Sequence, residues 1–139
     1  IGDFHNLRFE DKTFDFVVCD ATLHHSNDLC WLLKKIRRVL KDDGMLIALR
    51  EPILSKWRPL ANFQKKKFGV EEKKYGVTEN IYSLDEWRDY LYGSGFEVNF
   101  VPYIHHTDFK GKIVRFSPLR LLQGYLFSIF IFMARKQRH

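Results

Sequence analysis

The sequence predicts an α/β fold organised around a parallel β-sheet. Two short apolar runs, at residues 14–20 (FDFVVCD) and 45–49 (MLIAL), are bounded by turn residues. Such runs are typical of strands buried on both faces of a parallel sheet. Between them, apolar residues recur at the helical spacing i, i+3, i+4, i+7, which indicates an amphipathic helix capped by Asn27 or Asp28.

The main functional candidates directly follow the first predicted strand. Asp20 ends that strand, and the sequence Ala21 to His25 (ATLHH) comes next. The carboxyl ends of parallel strands are where α/β folds bind ligands. A neutral histidine can accept a proton near neutral pH. We therefore expect His24 and His25 to line a site, either as a general base or only as part of its wall.

The second half of the chain predicts a helix followed by two strands. Ser83 and Glu86 have the spacing of a capping box, which begins the helix. Alternating apolar and polar residues over 96–100 indicate a half-exposed strand near a sheet edge. The apolar run 126–134 predicts a buried central strand, because the polar residues just before it leave too short a stretch for a membrane span.

The sequence also predicts the structure of three segments that connect these strands and helices. Residues 41–44 (KDDG) indicate a turn in which Gly44 adopts a positive φ. Residues 53–80 mix aromatic residues with lysines, and they exceed the about 2–6 residues of an ordinary α/β connection. We expect an irregular segment there, either a lid or a mobile surface loop. Residues 102–118 predict a second loop, which is rich in histidine and basic residues.

Composition limits the class of protein. The chain has 139 residues, 45% of them hydrophobic and 16% aromatic, which is enough for a packed core. The net charge of +6 permits an acidic partner, although a solvated basic surface is the simpler explanation. The basic face of the first helix lacks interleaved aromatic residues, so we expect no nucleic-acid binding. Cys19 and Cys30 lack the spacing of a zinc site and suggest a reducing, cytoplasmic location.

Residues 2–52 resemble the class I S-adenosylmethionine-dependent methyltransferases, particularly the methyltransferase type 11 group. That group shows Gly-Asp, a Leu-Pro-Phe-like segment, Phe-Asp-hydrophobic-Val, Leu-His-His and Arg-Val-Leu-Lys-x-x-Gly. The chain reproduces these motifs in order, with Arg8 where the group usually has proline. Residues 53–139 agree with the group only in the order of their elements.

The resemblance implies a Rossmann-like sheet whose last strand inserts antiparallel between its two predecessors. It also implies S-adenosylmethionine as the cofactor and methyl transfer to a small-molecule or lipid-like acceptor. The motif positions imply contacts with the adenine, the methionine part and the methyl group of the cofactor. Asp3 and Phe4 would contact the adenine, and Asp20 and Ala21 would contact the methionine part. His24 and His25 would lie near the methyl group.

The family's first strand and glycine-rich loop have no counterpart in this sequence. We therefore interpret residues 1–139 as one partial methyltransferase domain, the carboxyl-terminal part of a longer enzyme, with residues 53–80 as an inserted lid or substrate cap. The alternative is a non-catalytic truncated domain that serves as an interaction module. Because the family's first strand would pair with the strand at 14–20, its absence leaves one edge of that strand unpaired. This predicts an edge-strand dimer or aggregation of the chain alone.

We expect no metal site. Histidine and carboxylate are good ligands, and the sequence offers His24, His25, His105, His106 and Asp108. However, adjacent histidines on an irregular backbone rarely point towards one place.

Overall fold

The computed structural model describes residues 7–102 and 129–137. The predicted strands and helices are present, with a further helix between the second strand and the helix that begins after Ser83, and with a short 3-10 turn after the first strand, here named the histidine turn. The elements are β1 (Phe14–Asp20), the histidine turn (Leu23–His25), α1 (Leu29–Val39), β2 (Leu40–Pro52), α2 (Arg58–Tyr75), α3 (Leu84–Gly93), β3 (Phe96–Pro102) and β4 (Ile129–Lys136).

The described sheet has four strands in the order β1-β2-β4-β3. β1 is parallel to β2, whereas β4 is antiparallel to both β2 and β3. The final strand therefore lies between its two predecessors, which confirms the predicted Rossmann-like arrangement.

The core lies on the sheet face that packs against α1 and α3. The buried side chains on α1 recur at helical spacing, and α3 contributes Trp87 and Leu91. Both predicted helix caps are present: Asp28 accepts the Trp31 N–H, and Ser83 and Glu86 form the reciprocal capping box. These caps fix where both helices begin.

The prediction that β1 is buried on both faces is wrong. Val17 and Cys19 pack against the core, but the side chains of Phe16 and Val18 are 60% and 59% exposed. Within the described residues β1 pairs only with β2 and lies at the edge of the sheet. Its continuous apolar sequence thus reflects a second apolar face, which the described residues leave accessible to solvent. The predicted edge-strand dimer stays a prediction.

The turn predicted at residues 41–44 is a bulge within β2. Phe14 pairs with Leu40, and Phe16 pairs with Met45, so four residues of β2 lie opposite Asp15 alone. Gly44 does not have the predicted positive φ. A Cβ at this position would lie 3.0 Å from backbone atoms of Lys41 and Phe14. The close approach of these backbones, rather than a left-handed conformation, explains the glycine.

The expectation that residues 53–80 are irregular is also wrong. Most of this segment forms α2, an 18-residue helix with a proline in its first turn and Gly76 as a left-handed C-cap at φ 66°. Buried Gln64 anchors the helix, since its side-chain amide bonds the backbone N–H of Ser55 and the backbone carbonyl of Ile53. The weak apolar periodicity of α2 hides it from a pattern search, although the proline and the glycine are ordinary helix signals.

The final apolar run is confirmed as a central strand over 129–136, but only one of its faces is buried, since Ile129 and Met133 on the other face are 40% and 37% exposed. Its first residues, and nearly all of the loop predicted at 102–118, lie outside the described residues. Among the helices that are described, none is both long and apolar enough to cross a membrane.

We predict that Gly44→Ala destabilises the protein by about 1–3 kcal/mol, because the new methyl group forces backbone atoms apart. Gly69→Ala is the matched control, since a Cβ at this position in α2 meets no atom within 4 Å. The control should stabilise the protein by about 0.5–1 kcal/mol, because alanine is the better helix former. Urea denaturation of both variants measures the difference. A Gly44→Ala variant as stable as the parent would contradict the close approach.

Candidate functional site

The carboxyl ends of β1 and β2 are joined by an ion pair and a strained backbone. Arg50 donates two hydrogen bonds of 2.6 Å to the Asp20 carboxylate. Ala21 and Arg50 both have positive φ values, 47° and 56°, which residues other than glycine rarely adopt. The Ala21 N–H nevertheless bonds the Leu49 carbonyl at 2.8 Å. Strain of this kind is common at binding sites, where the surrounding structure enforces it.

Glu51 holds the histidine turn in place. Its fully buried carboxylate accepts the backbone N–H groups of Thr22, Leu23 and His24 at 3.0, 3.0 and 3.3 Å. The same carboxylate lies 2.7 Å from Nδ1 of His24. The register of β2 shifts between Ala48 and Glu51, immediately before this contact. One side chain of β2 therefore fixes both the backbone that follows β1 and the ring of His24.

The two histidine rings lie side by side, with centroids 4.0 Å apart. Nδ1 of His24 contacts the Glu51 carboxylate, and Nδ1 of His25 lies 2.7 Å from the Thr78 carbonyl. A carboxylate and a carbonyl only accept hydrogen bonds, so each Nδ1 must carry the proton. In the neutral rings, each Nε2 is left with its lone pair.

Residues 78–80, which follow α2, attach to the histidine turn. The Asn80 N–H bonds the His24 carbonyl at 3.1 Å, and the Asn80 side chain donates to the Ser26 carbonyl at 2.9 Å. These bonds place Glu79 beside both rings. Its carboxylate oxygens lie 3.7 Å from Nε2 of His24 and 3.6 Å from Nδ1 of His25.

A cavity of about 460 Å³ opens beside the two histidines. Its polar lining includes His24, His25, Glu79 and Arg50, and Leu60, Phe63 and Phe68 of α2 form much of its apolar wall. A space of this size fits a small organic ligand. The lining also includes Gln64 and Lys67 of α2, so polar and apolar groups both face the cavity, as an amphipathic ligand requires.

The structure brings together most of the residues predicted for the site. Ala21, His24 and His25 line the cavity, whereas the Asp20 side chain beside them bonds Arg50. Asp3 and Phe4 lie outside the described residues. Sequence reasoning missed Glu51 and Glu79. A signal for Glu51 was its position just after the second predicted strand; the segment containing Glu79 has no periodic pattern.

Two ionisable groups near the site have shifted pKa values. The hydrogen bonds from Arg50 hold the pKa of the Asp20 carboxyl below its usual range. Burial, followed by the negative charge of Glu51, raises the pKa of the Cys19 thiol to about 12. Cys19 is therefore a packing residue and not a nucleophile at neutral pH.

Residues 1–48 match the methyltransferase domain family. Over 48 residues the chain is 44% identical to the demethylmenaquinone methyltransferase of Staphylococcus haemolyticus, a match that covers 34% of this chain and 20% of that protein. Over 47 residues it is 43% identical to the mouse mitochondrial arginine-hydroxylase NDUFAF5, covering 34% of this chain and 14% of that protein. The matched region thus spans a fifth or less of either relative.

Among solved structures, the chain is similar to the YcgJ protein of Bacillus subtilis, with a TM-score of 0.66 and 17% identity. The alignment covers 99% of this chain and 70% of YcgJ. At this identity the likeness concerns the fold alone. Together, the match over residues 1–48 and the fold confirm the resemblance to the class I S-adenosylmethionine-dependent methyltransferases.

We predict that Glu51→Gln lowers the free energy of unfolding by about 2–4 kcal/mol. The carboxylate accepts four hydrogen bonds through its two oxygens, whereas glutamine has no charge and keeps only one oxygen. Exposed Glu97 on β3 provides the matched control. Glu97→Gln should change stability by no more than about 0.5 kcal/mol. Thermal and urea denaturation of both variants provide the measurement, and equal stabilities would show that Glu51 does not organise the turn.

We predict that the Cys19 thiol resists alkylation in the folded protein. In a Cys30→Ser variant, iodoacetamide at pH 8 should react at least about a hundredfold more slowly in buffer than in denaturant, because the raised pKa keeps the thiol protonated. The Cys19→Ser variant, which retains Cys30, measures the reaction of the other thiol. Equal rates for Cys19 in both solvents would mean that the thiol is neither buried nor shifted.

Proposed function

We propose that this chain forms the acceptor-binding part of a longer S-adenosylmethionine-dependent methyltransferase. One observation carries the proposal: His24 and His25, fixed by Glu51 and the Thr78 carbonyl, lie in a cavity at the carboxyl end of β1. The match of residues 1–48 to the methyltransferase domain family supports this reaction. The larger size of YcgJ, 70% of which this chain covers, supports the view that further residues complete such a domain.

The residues around the cavity fit the cofactor that the family uses. Ala21, which the resemblance assigns to the methionine part, borders the cavity and has a positive φ. As the resemblance implies, Asp3 would accept a hydrogen bond from the adenine amino group, and the backbone N–H of Phe4 would donate to the adenine ring. When bound, S-adenosylmethionine supplies a methyl group activated as a sulfonium.

The acceptor that suits this cavity is a hydroxylated aromatic molecule with an apolar substituent. The apolar wall from Leu60, Phe63 and Phe68 would bury the substituent, while the histidines face the reacting ring. The name of the staphylococcal relative, demethylmenaquinone methyltransferase, supports a quinone-derived acceptor. Helix α2, fixed at its base by Gln64, would act as the cap over that acceptor.

His24 is the better candidate for the general base. Its Nδ1 donates to a buried carboxylate, whereas Nδ1 of His25 donates to a neutral carbonyl. When Nε2 of His24 takes the proton of the acceptor hydroxyl, the positive charge on the ring is stabilised by Glu51 at 2.7 Å. The acceptor then carries the negative charge that makes it a nucleophile. His25 and Glu79 would orient it.

We predict that His24→Asn lowers turnover by about 10²–10⁴-fold, because the asparagine amide keeps a donor near Glu51 but cannot take the proton. Affinity for S-adenosylmethionine should stay within about threefold of the parent. The assay uses the protein that carries this chain. It measures the rate at which a labelled methyl group is transferred from the cofactor to a reduced, prenylated naphthoquinone. Cofactor affinity is measured by calorimetry.

His25→Asn is the matched comparison and should cost less than His24→Asn. An equal loss in both variants would make the histidines pocket walls without a base. A protein that binds no cofactor and transfers no methyl group to any acceptor would favour the alternative, a non-catalytic interaction module.

A further inference from the structure

We propose that His24, His25 and Glu79 form a binding site for one divalent transition-metal ion. A nitrogen of each imidazole and one carboxylate oxygen all lie within 4.8 Å of one another. Both rings and the carboxylate line the same cavity, so an ion there would be open to a ligand. This inference goes beyond methyl transfer and does not depend on it.

The spacing suits an ion better than it suits direct hydrogen bonds. Glu79 lies 3.7 Å from Nε2 of His24, which is too far for a hydrogen bond. It also lies 3.6 Å from Nδ1 of His25, but this nitrogen donates to the Thr78 carbonyl, so His25 would coordinate an ion through Nε2. Metal–ligand bonds of about 2.1 Å at a tetrahedral angle place donor atoms about 3.4 Å apart. The spacing between His24 and Glu79 is therefore close to that of two ligands of one ion, and a rotation that brings Nε2 of His25 to the same point completes the set.

The second observation is that both rings are already oriented as metal ligands. Histidines that bind metals usually donate their other ring N–H to a carboxylate or a backbone carbonyl, which fixes the tautomer and the ring plane. His24 does this towards Glu51, and His25 does it towards Thr78. In each neutral ring the lone pair on Nε2 is available. The 3-10 conformation of the histidine turn places these adjacent residues side by side, which the sequence argument against a metal did not foresee.

The donor set indicates the class of ion. Two imidazoles and one carboxylate favour Zn²⁺, Fe²⁺, Co²⁺ or Ni²⁺ over Mg²⁺ and Ca²⁺, which prefer oxygen ligands. Three protein ligands leave at least one coordination position, which would face the cavity. A bound ion would occupy the lone pair of Nε2 that a general base needs, so metal binding and proton transfer at His24 exclude each other.

The test is titration of the metal-free protein with Co²⁺, followed by the visible ligand-field absorption, and with Zn²⁺ by calorimetry. We expect one ion per chain at this site. Glu79→Gln and His25→Asn should each weaken binding at least tenfold. Both variants retain polar groups of similar size, and circular dichroism with a thermal melt checks that they fold.

Two controls separate this site from other metal-binding residues. Glu72→Gln changes an exposed carboxylate on α2 and should leave binding unchanged. The double variant His105→Ala, His106→Ala removes the other adjacent histidine pair and should also leave the cobalt spectrum unchanged.

The proposal is overturned if the folded protein binds neither ion, or if the double variant loses binding while Glu79→Gln retains it. Because these readouts use neither cofactor nor acceptor, they stand even if methyl transfer is not found. Conversely, an active methyltransferase that binds no ion would overturn only the metal site. If both hold, saturating Zn²⁺ should inhibit methyl transfer, because the ion occupies Nε2 of His24.

Discussion

The structure around the cavity depends on one buried carboxylate. Glu51 accepts three backbone N–H groups and the ring N–H of His24, so it satisfies donors that would otherwise be buried without partners. Because Glu51 belongs to β2 and its donors follow β1, the parallel pairing of these strands directly positions the histidines. The ion pair between Asp20 and Arg50 joins the same two strand ends. The same contacts therefore determine both stability and site geometry at the carboxyl ends of β1 and β2.

The sequence predicted the elements better than it predicted their surroundings. The strand at 14–20 and the caps at Asp28 and Ser83 follow from local patterns, and the structure has them as expected. The burial of β1 could not be predicted, because an apolar run does not reveal which of its faces the rest of the fold covers. Helix α2 was missed because its wall of apolar residues is short and interrupted by lysines. Its stabilising contact through Gln64 is a tertiary interaction without a periodic signal.

In the site, too, local features could be predicted from the sequence and long-range contacts could not. Adjacent histidines at a strand end were visible in the sequence, and the structure places both in the cavity. Their orientation was not predictable, because it depends on Glu51, 27 residues after His24, and on Thr78, 53 residues after His25. Glu79 joins them only because Asn80 ties its segment to the histidine turn. Long-range hydrogen bonds decide which chemistry two neighbouring histidines can perform.

The position of β4 has a consequence for the order in which the protein can fold. β2 and β3 do not bond each other but meet through β4, which pairs with both along its length. During synthesis, residues 40–102 leave the ribosome with two strands that cannot yet share a sheet. Only when residues 129–136 emerge can β4 pair with both β2 and β3. Its pairing with β2 brings together segments that are far apart in the sequence, so a long loop closes in one step. Until then, the nascent chain exposes strand edges that a chaperone would need to shield.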